Sequence, residues 1–255
     1  MCLIVFANNV HPKYKFIFAA NRDEFYNRPS SQANFWKENS ELLAGRDLQA
    51  GGTWMGITKK GKFAAITNFR DLKNHRNDAP SRGKLTVDFL ANNIHPEEYY
   101  GFLKSDLNKF NGFNLILGNI DKLYYFSNKN EALKKLEPGI HGISNALLNT
   151  PWPKVEKSKK QLEALLGQNE IHPHEVMNIL YDKNKADDDF LPDTGVGIEL
   201  ERLLSPVFIS SEKYGTRCST VVMADKNNNV QFLEKTYLAA TGTFSNKEYK
   251  FKIEN

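Results

Sequence analysis

Short apolar runs, separated by turn-forming residues, dominate the first third of the chain. Residues 2–7 and 15–20 are apolar at nearly every position, which predicts two strands covered on both faces. The polar residues 8–13 between them favour a hairpin loop. Residues 53–58 and 62–69 predict a second hairpin. The N-terminal third is therefore expected to be rich in antiparallel strands.

Helical periodicity begins after this β-rich region. Pro96 suits the first position of a helix, and apolar residues then recur at helical spacing. The acidic run 187–189 is typical of a solvated loop. The other predicted elements are helices at 85–92 and 96–110, a hairpin of 112–118 and 122–127, a strand at 140–145, helices at 153–166 and 175–181, and a closing hairpin of 219–224 and 230–235.

Hairpins thus outnumber other connections, and two blocks of helix interrupt them. This order differs from the alternating strand–helix rhythm of a parallel, doubly wound sheet. It favours an α+β fold in which antiparallel sheets are layered with helices. We find no internal repeat and no low-complexity linker, so one domain is expected over residues 1–255.

Composition narrows the classes of function. The 255 residues are 40% hydrophobic and 25% charged, as in an ordinary globular protein, and the net charge is only +4. The lysines are scattered, so nucleic acid is not a predicted partner. No apolar run has the roughly 18 residues of a membrane helix, and the apolar start lacks a basic flank. Because of its apolar pattern, no stable membrane insertion is expected. Two cysteines do not make a disulfide scaffold, which favours a reducing compartment, so the protein is expected in the cytoplasm.

Cys2 is the first candidate for chemistry. Its ordinary interpretation is a small buried residue in strand one, because free cysteine is among the most buried residue types. Removal of Met1 instead leaves the thiol beside its own α-amine, whose pKa of about 8 lies close to working pH. A nucleophile and a base within one residue are a route to covalent acyl transfer.

Polar residues where strands are predicted to end are the next candidates. The hairpin returns the chain towards its start, so Arg22 and Asp23 are expected near Cys2, the first to lower the thiol pKa and the second to hold the ammonium. Asn68 and Asn145 also follow apolar strands; their amides suit an oxyanion hole, although Asn145 also suits a helix cap. Arg217 precedes the last predicted hairpin. Its guanidinium is suited to stabilising a developing negative charge or to binding a carboxylate.

Several sequence blocks together resemble the NRDE family, also called the transport-and-Golgi-organization-two family. The blocks cover the first third densely and reach nearly the whole chain. They are Met1-Cys2-Leu3-Ile4-Val5-Phe6-Ala7, Ala20-Asn21-Arg22-Asp23-Glu24-Phe25, Ala50-Gly51-Gly52-Thr53-Trp54-Met55-Gly56, Thr67-Asn68-Phe69-Arg70, Pro80-Ser81-Arg82-Gly83, Gly142-Ile143-Ser144-Asn145, Trp152-Pro153-Lys154 and Arg217-Cys218-Ser219-Thr220.

This family in turn resembles N-terminal-nucleophile (Ntn) hydrolases of the choloylglycine and penicillin V acylase type. The resemblance implies a four-layer αββα fold and cleavage of linear amide bonds by an N-terminal cysteine. The implied roles are nucleophile for Cys2, thiol and amine contacts for Arg22 and Asp23, oxyanion or amine contacts for Asn68 and Asn145, and charge stabilisation for Arg217.

One feature departs from the acylase pattern. The acylases usually space their Arg and Asp by two residues, whereas Arg22 and Asp23 are adjacent. Adjacent residues of an extended strand point to opposite faces, so one of the two is expected to have a different role, with Asn21 as a substitute.

The expected function is hydrolysis of a small amide or acyl substrate without a cofactor or metal. The alternative is a non-catalytic carrier of haem or of an acyl lipid or acyl-CoA in the same pocket, because the family has been linked to haem mobilisation and lipid metabolism. The chain has no Cys-Pro haem motif and no obvious axial histidine. A role in protein trafficking is the third possibility, with the least support from the residues.

Four further signals are assigned structural roles. Gly51, Gly52 and Gly56 do not form a dinucleotide fingerprint and are interpreted as turn glycines near a strand. The block 81–83 precedes a helix and favours a surface turn over an anion site. The pair His172 and His174 lacks further ligands at zinc spacing. Cys218 is expected to be a buried structural thiol.

Overall fold

The structure, a computed structural model, describes residues 2–238 and 242–254. The chain forms two compact units. The first unit comprises the chain up to Asn27 together with Pro138–Phe251, and the second comprises Arg28–Glu137 and the chain from Lys252 onward. The single domain expected over 1–255 stays a prediction.

The strands and helices are as follows. The strands are β1 (Cys2–Asn8), β2 (Tyr14–Phe25), β3 (Ser30–Phe35), β4 (Leu42–Asp47), β5 (Met55–Thr58), β6 (Lys62–Asn68), β7 (Phe113–Asn119), β8 (Lys122–Ser127), β9 (Asn130–Lys135), β10 (Gly139–Ile143), β11 (Tyr214–Asp225), β12 (Asn229–Leu238) and β13 (Thr243–Lys252). The helices are α1 (Gly83–Ala91), α2 (Pro96–Leu103), α3 (Pro153–Leu166), α4 (Pro173–Asn178) and α5 (Ile198–Leu204), with short 3-10 turns at Leu107–Lys109, Ile179–Tyr181 and Asp188–Phe190.

The first unit is built on a sheet whose described strands run in the order β10-β1-β2-β11-β12-β13. One face carries alternate residues such as Val5, Ala19 and Val221, which pack against Leu162 of α3 and Val176 of α4. The other face carries phenylalanines that are fully buried as well, namely Phe6, Phe16, Phe18 and Phe232. The central strands are therefore buried on both faces, as their unbroken apolar runs predicted.

The second unit repeats this layering on a sheet of order β3-β4-β5-β6-β7-β8-β9. Helices α1 and α2 cover one face through Phe89 and Tyr99, which pack against Leu115, Leu117 and Phe126. The strand pairings among the described residues of both sheets are antiparallel. The predicted α+β class with antiparallel sheets is therefore confirmed.

Several boundaries predicted from the sequence were wrong. Strand β2 continues through the polar residues to Phe25, because hydrogen bonding to β11 extends beside them. The chain does not close with a single hairpin, since β13 follows; its residues are mostly exposed and lack an apolar pattern. Helix α2 ends at Leu103, and a 3-10 turn replaces its predicted last residues. The strands β3, β4 and β9 and the helix α5 were not predicted.

Two of the motif glycines allow one close backbone contact in the second unit. A Cβ on Gly52 would lie 2.5 Å from the carbonyl carbon of Gly83, at the start of α1. The N–H of Thr53 donates to the Gly83 carbonyl across the same contact (3.2 Å). Gly51 has a φ of +74° and is the turn glycine that the sequence predicted, whereas Gly52 serves close packing.

No helix within the described ranges is long and apolar enough to cross a membrane.

Candidate active site

Cys2 lies at the start of β1, in a row of residues that crosses three strands. The pairing of β1 with β2 sets Cys2 opposite Arg22, and the pairing of β2 with β11 sets Cys218 opposite the same arginine. Residues directly opposite each other in antiparallel strands share a face. Cys2 is partly exposed, whereas Arg22 and Cys218 are buried. A nucleophilic thiol thus has a buried guanidinium directly beside it.

The two cysteines do not form a disulfide. They are two strands apart, which at about 4.8 Å per strand separates their Cα atoms by roughly 10 Å. A disulfide requires Cα atoms within about 7 Å. Cys218 is therefore a buried free thiol, as expected, and burial raises its pKa well above the usual range.

Asp23 lies one residue further along β2, on the opposite face from Arg22. It is buried, and the Thr216 hydroxyl donates to its Oδ1 at 2.7 Å. Burial raises the pKa of this carboxyl, while Lys154, the Thr216 hydroxyl and Arg22 act in the other direction. Since adjacent residues of a strand point to opposite faces, Arg22 and Asp23 are expected on opposite faces of β2, and the different role of one of them stays a prediction.

Lys154 is a site residue to which the sequence analysis gave no role. It is buried in the first turn of α3, and its Nζ donates to the Leu204 carbonyl at 2.8 Å. Among the causes that lower the pKa of Asp23, its charge is the largest. The sequence feature that could have indicated Lys154 is its position at the start of a helix, where the helix dipole makes a positive charge unfavourable.

Burial, Asp23 and Arg22 all affect the pKa of the Cys2 thiol. Burial raises its pKa, and the Asp23 carboxylate adds to the rise. Hydrogen bonding from the Asp23 backbone and the charge of Arg22 lower the same pKa. Met1 lies outside the described residues, so the free α-amine of Cys2 stays a prediction.

Asn145 follows β10, the strand on the other side of β1. The pairing of β1 with β10 ends where Ile4 lies opposite Ile143, so Asn145 lies two residues past the last paired residue of β10. The hydroxyl of Ser144 donates to the Cys2 carbonyl at 3.1 Å and contacts Asn145 Oδ1 at 3.3 Å. Asn145 is buried and lies well before α3, so the helix-cap interpretation is wrong.

Arg217 lies at a β-bulge in β11. Thr216 pairs with Asp23 and Cys218 with Arg22, so Arg217 is the extra residue between them. Its Nη1 donates to the carbonyls of Phe25 (2.8 Å) and Tyr26 (3.1 Å). Burial lowers the pKa of Arg217, and the neighbouring charge of Arg22 lowers it further. Bulges of this kind re-aim side chains next to active sites.

Asn21 does not substitute for either charged residue. Its Nδ2 donates to the carbonyls of Leu180 (2.9 Å) and Val207 (2.8 Å), and its Oδ1 accepts from the Ser219 hydroxyl (2.5 Å). These bonds occupy both donors and the acceptor of the amide. Asn21 therefore joins β2 to the neighbouring loops and to β11, and the expectation that it replaces Arg22 or Asp23 was wrong.

Asn68 is the one predicted site residue that lies in the second unit. It ends β6, is partly buried, and pairs with Phe113 of β7. Its approach to Cys2 stays a prediction. The other five, Cys2, Arg22, Asp23, Asn145 and Arg217, lie in the first unit, with Arg22 directly opposite Cys2, and the convergence of all of them on one cleft stays a prediction.

Sequence comparison assigns the chain to known relatives. The family model described as Transport and Golgi organisation 2 matches residues 1–239. The Transport and Golgi organization 2 homolog of Mus musculus is 34% identical over 277 residues, with 100% of both chains covered. Transport and Golgi organization protein 2 of Drosophila melanogaster is 28% identical over 265 residues, with 92% of each chain covered.

The fold is similar to that of a solved hydrolase. The crystal structure of the mutant C2A conjugated bile acid hydrolase from Clostridium perfringens superposes with a TM-score of 0.51, covering 100% of this chain and 97% of the other. The sequence identity is 11%, so the likeness shows the fold alone. The predicted fold class, the α+β fold of Ntn hydrolases with antiparallel sheets, is confirmed.

Proposed function

Because this chain belongs to the Transport and Golgi organisation 2 family and has an Ntn-hydrolase fold, we propose that it is an N-terminal-cysteine hydrolase of small linear amide or acyl substrates. The nucleophile is Cys2, freed by removal of Met1, and the reaction passes through an acyl-enzyme without a cofactor. The similar fold of a bile acid hydrolase, an enzyme named for a conjugated substrate, supports the choice of an amide.

The first half of the reaction forms the acyl-enzyme. The α-amine of Cys2 takes the thiol proton, and the sulfur attacks the carbonyl carbon of the substrate to give a tetrahedral oxyanion. The Asn145 amide is the donor assigned to that oxyanion. When the C–N bond breaks, the α-ammonium returns its proton to the departing amine, and a thioester on Cys2 remains.

The second half releases the acid. Water gives a proton to the α-amine and attacks the thioester carbon, and collapse of the second oxyanion breaks the C–S bond. The thiolate regains the proton, so the enzyme returns to its starting state. Arg22 stabilises the thiolate from the adjacent strand, and Asp23 orients the ammonium.

The observation that carries the proposal is the strand register around Cys2. Arg22 lies directly opposite Cys2 on one neighbouring strand, and Asn145 follows the end of β10, the other neighbouring strand. A cation opposite the partly exposed Cys2 and an amide donor after the next strand are the kinds of group that thiolate attack on a carbonyl requires.

The test combines labelling and turnover in the processed protein. A small thiol-directed electrophile is expected to label Cys2 well before the buried Cys218, and Cys218→Ala is expected to leave the rate at Cys2 unchanged. Acyl-amino acids, acyl-homoserine lactones and short peptides are then screened for hydrolysis. Cys2→Ala should abolish turnover, and Asn145→Ala should lower kcat on the order of a hundredfold.

Two outcomes contradict the proposal. Turnover that survives Cys2→Ala places the chemistry on another residue. Absence of turnover by the processed wild type, together with tight binding of haem or acyl-CoA that Cys2→Ala leaves unchanged, favours the carrier function instead.

A further inference from the structure

The second unit contains a cavity of about 940 Å³ that includes none of the candidate catalytic residues. It lies where the start of β6, the start of β8 and the connection between α1 and α2 meet. Apolar side chains such as Leu42, Val87 and Ile94 line part of it, and Lys62 lines the same space. Cavities of this size are typical of small-molecule sites.

Lys62 is held in place by the end of α1. Its Nζ donates to the Phe89 carbonyl at 2.9 Å and to the Asn92 carbonyl at 2.5 Å, and it lies 4.1 Å from the centre of the Phe89 ring. An ammonium group has three hydrogens to donate. Within residues 2–238 and 242–254, no acceptor for the third is present.

The other charged side chains around the cavity are paired with each other. Arg46 contacts Glu38 at 2.6 Å and stacks 4.3 Å from the centre of the Trp36 ring. Lys60 lies 3.2 Å from Glu41 and Lys122 lies 3.7 Å from Glu97, which also accepts from the Tyr124 hydroxyl. His95 is a further titratable residue that lines the cavity. Among the described residues, Lys62 is the lining cation without a carboxylate partner.

We propose that this cavity binds a small organic anion with an apolar body, such as an aromatic carboxylate, and that Lys62 is its anchoring cation. The anionic group accepts the third Lys62 hydrogen, and the apolar body contacts the aliphatic lining. This site is separate in its residues from the proposed hydrolase site and does not depend on Cys2.

The state of Lys62 agrees with this assignment. Burial lowers its pKa to about 8, so at neutral pH it is a protonated but poorly solvated cation. A bound anion stabilises the protonated form and raises that pKa. The part of the anion affinity that Lys62 supplies should therefore fall as the pH rises through 8, because binding must then take up a proton.

The test compares 1-naphthoate with its uncharged isostere 1-naphthamide by calorimetric titration of the full chain. The wild type is expected to bind naphthoate about tenfold more tightly than naphthamide at pH 7, since a charge-assisted hydrogen bond distinguishes them. Lys62→Met should remove this preference and its pH dependence. Lys62→Arg should keep the preference, and Lys104→Met, which changes an exposed lysine of the same unit outside the cavity lining, is the control that leaves it unchanged.

The design separates loss of the anchor from loss of the fold. If Lys62→Met weakens naphthamide binding as well, the Lys62→Arg variant decides: a retained preference for naphthoate supports the anchor, and a lost one overturns it. Equal affinities of the wild type for the two probes, or an unchanged preference in Lys62→Met, also overturn the proposal.

Discussion

At the scale of single residues, the candidate site depends on how two buried charges compensate each other. Asp23 is buried beside Cys2, and Lys154 approaches it from α3. Taking either charge out of water is costly unless the other is present. The charge of Lys154 therefore offsets part of the cost of burying the Asp23 carboxylate, whose pKa burial raises.

Lys154→Met should destabilise the protein strongly. The change leaves Asp23 as an uncompensated buried carboxylate and should lower the free energy of unfolding at pH 7 by about 3–5 kcal/mol. The pKa of Asp23, already raised by burial, rises further. The difference in free energy of unfolding between the wild type and the variant should therefore become smaller as the pH falls through the pKa of Asp23, because protonation removes the buried charge. Urea unfolding at pH 7 and pH 5 measures both effects.

Two variants serve as controls for this prediction. Lys160→Met changes an exposed lysine on the same helix and should alter stability by no more than about 0.5 kcal/mol. In the double variant Asp23→Asn with Lys154→Met, the cost should be smaller than the sum of the two single costs. Additive costs would show that the two residues are not coupled.

At the scale of elements, close backbone contacts and one bulge set the positions of the motifs. The bulge at Arg217 lets both Thr216 and Cys218 keep their partners on β2 while adding a second arginine near the first. In the second unit, Gly52 and Gly83 allow a loop to touch the start of α1. The bulge therefore gives Arg217 a structural role, and the close backbone contact gives Gly52 and Gly83 one.

Gly52→Ala should destabilise the second unit. The new Cβ would lie 2.5 Å and 2.7 Å from backbone atoms of Gly83 and 2.9 Å from the Lys84 nitrogen, and backbone cannot move aside as a flexible side chain can. We expect a loss of about 1–3 kcal/mol in urea unfolding. Gly101→Ala, in the open interior of α2, is the control and should raise stability by up to about 1 kcal/mol. Equal effects of the two changes would contradict the packing argument.

At the scale of the whole molecule, activity is expected to depend on how the chain begins. Only a free α-amine on Cys2 can act as the base, so the mature protein from its native host should lack one methionine by intact mass. Inserting a lysine between Met1 and Cys2 should block this processing, keep the circular dichroism spectrum and melting temperature, and abolish turnover. Full retention of Met1 in the native host would exclude the Ntn mechanism.

The sequence by itself determined the fold class and most of the candidate site. Unbroken apolar runs predicted strands buried on both faces, and the hairpin from β1 to β2 followed from the same pattern, which placed Arg22 and Asp23 near Cys2. The alternation of side chains along a strand also predicted that these two residues point apart. Such properties are local, so residue order is sufficient to specify them.

Only the tertiary structure decided the properties that depend on distant segments. The hydrogen bonds of Asn21 to Leu180, Val207 and Ser219 join positions more than 150 residues apart, and they changed its predicted role. The position of Lys154, whose charge acts on Asp23, and the bulge at Arg217 likewise depend on segments that are distant in the sequence. The edge strand β13 gave no apolar pattern because most of its residues are exposed. Side-chain pairing and exposure of this kind follow from packing, which the linear order of residues does not show.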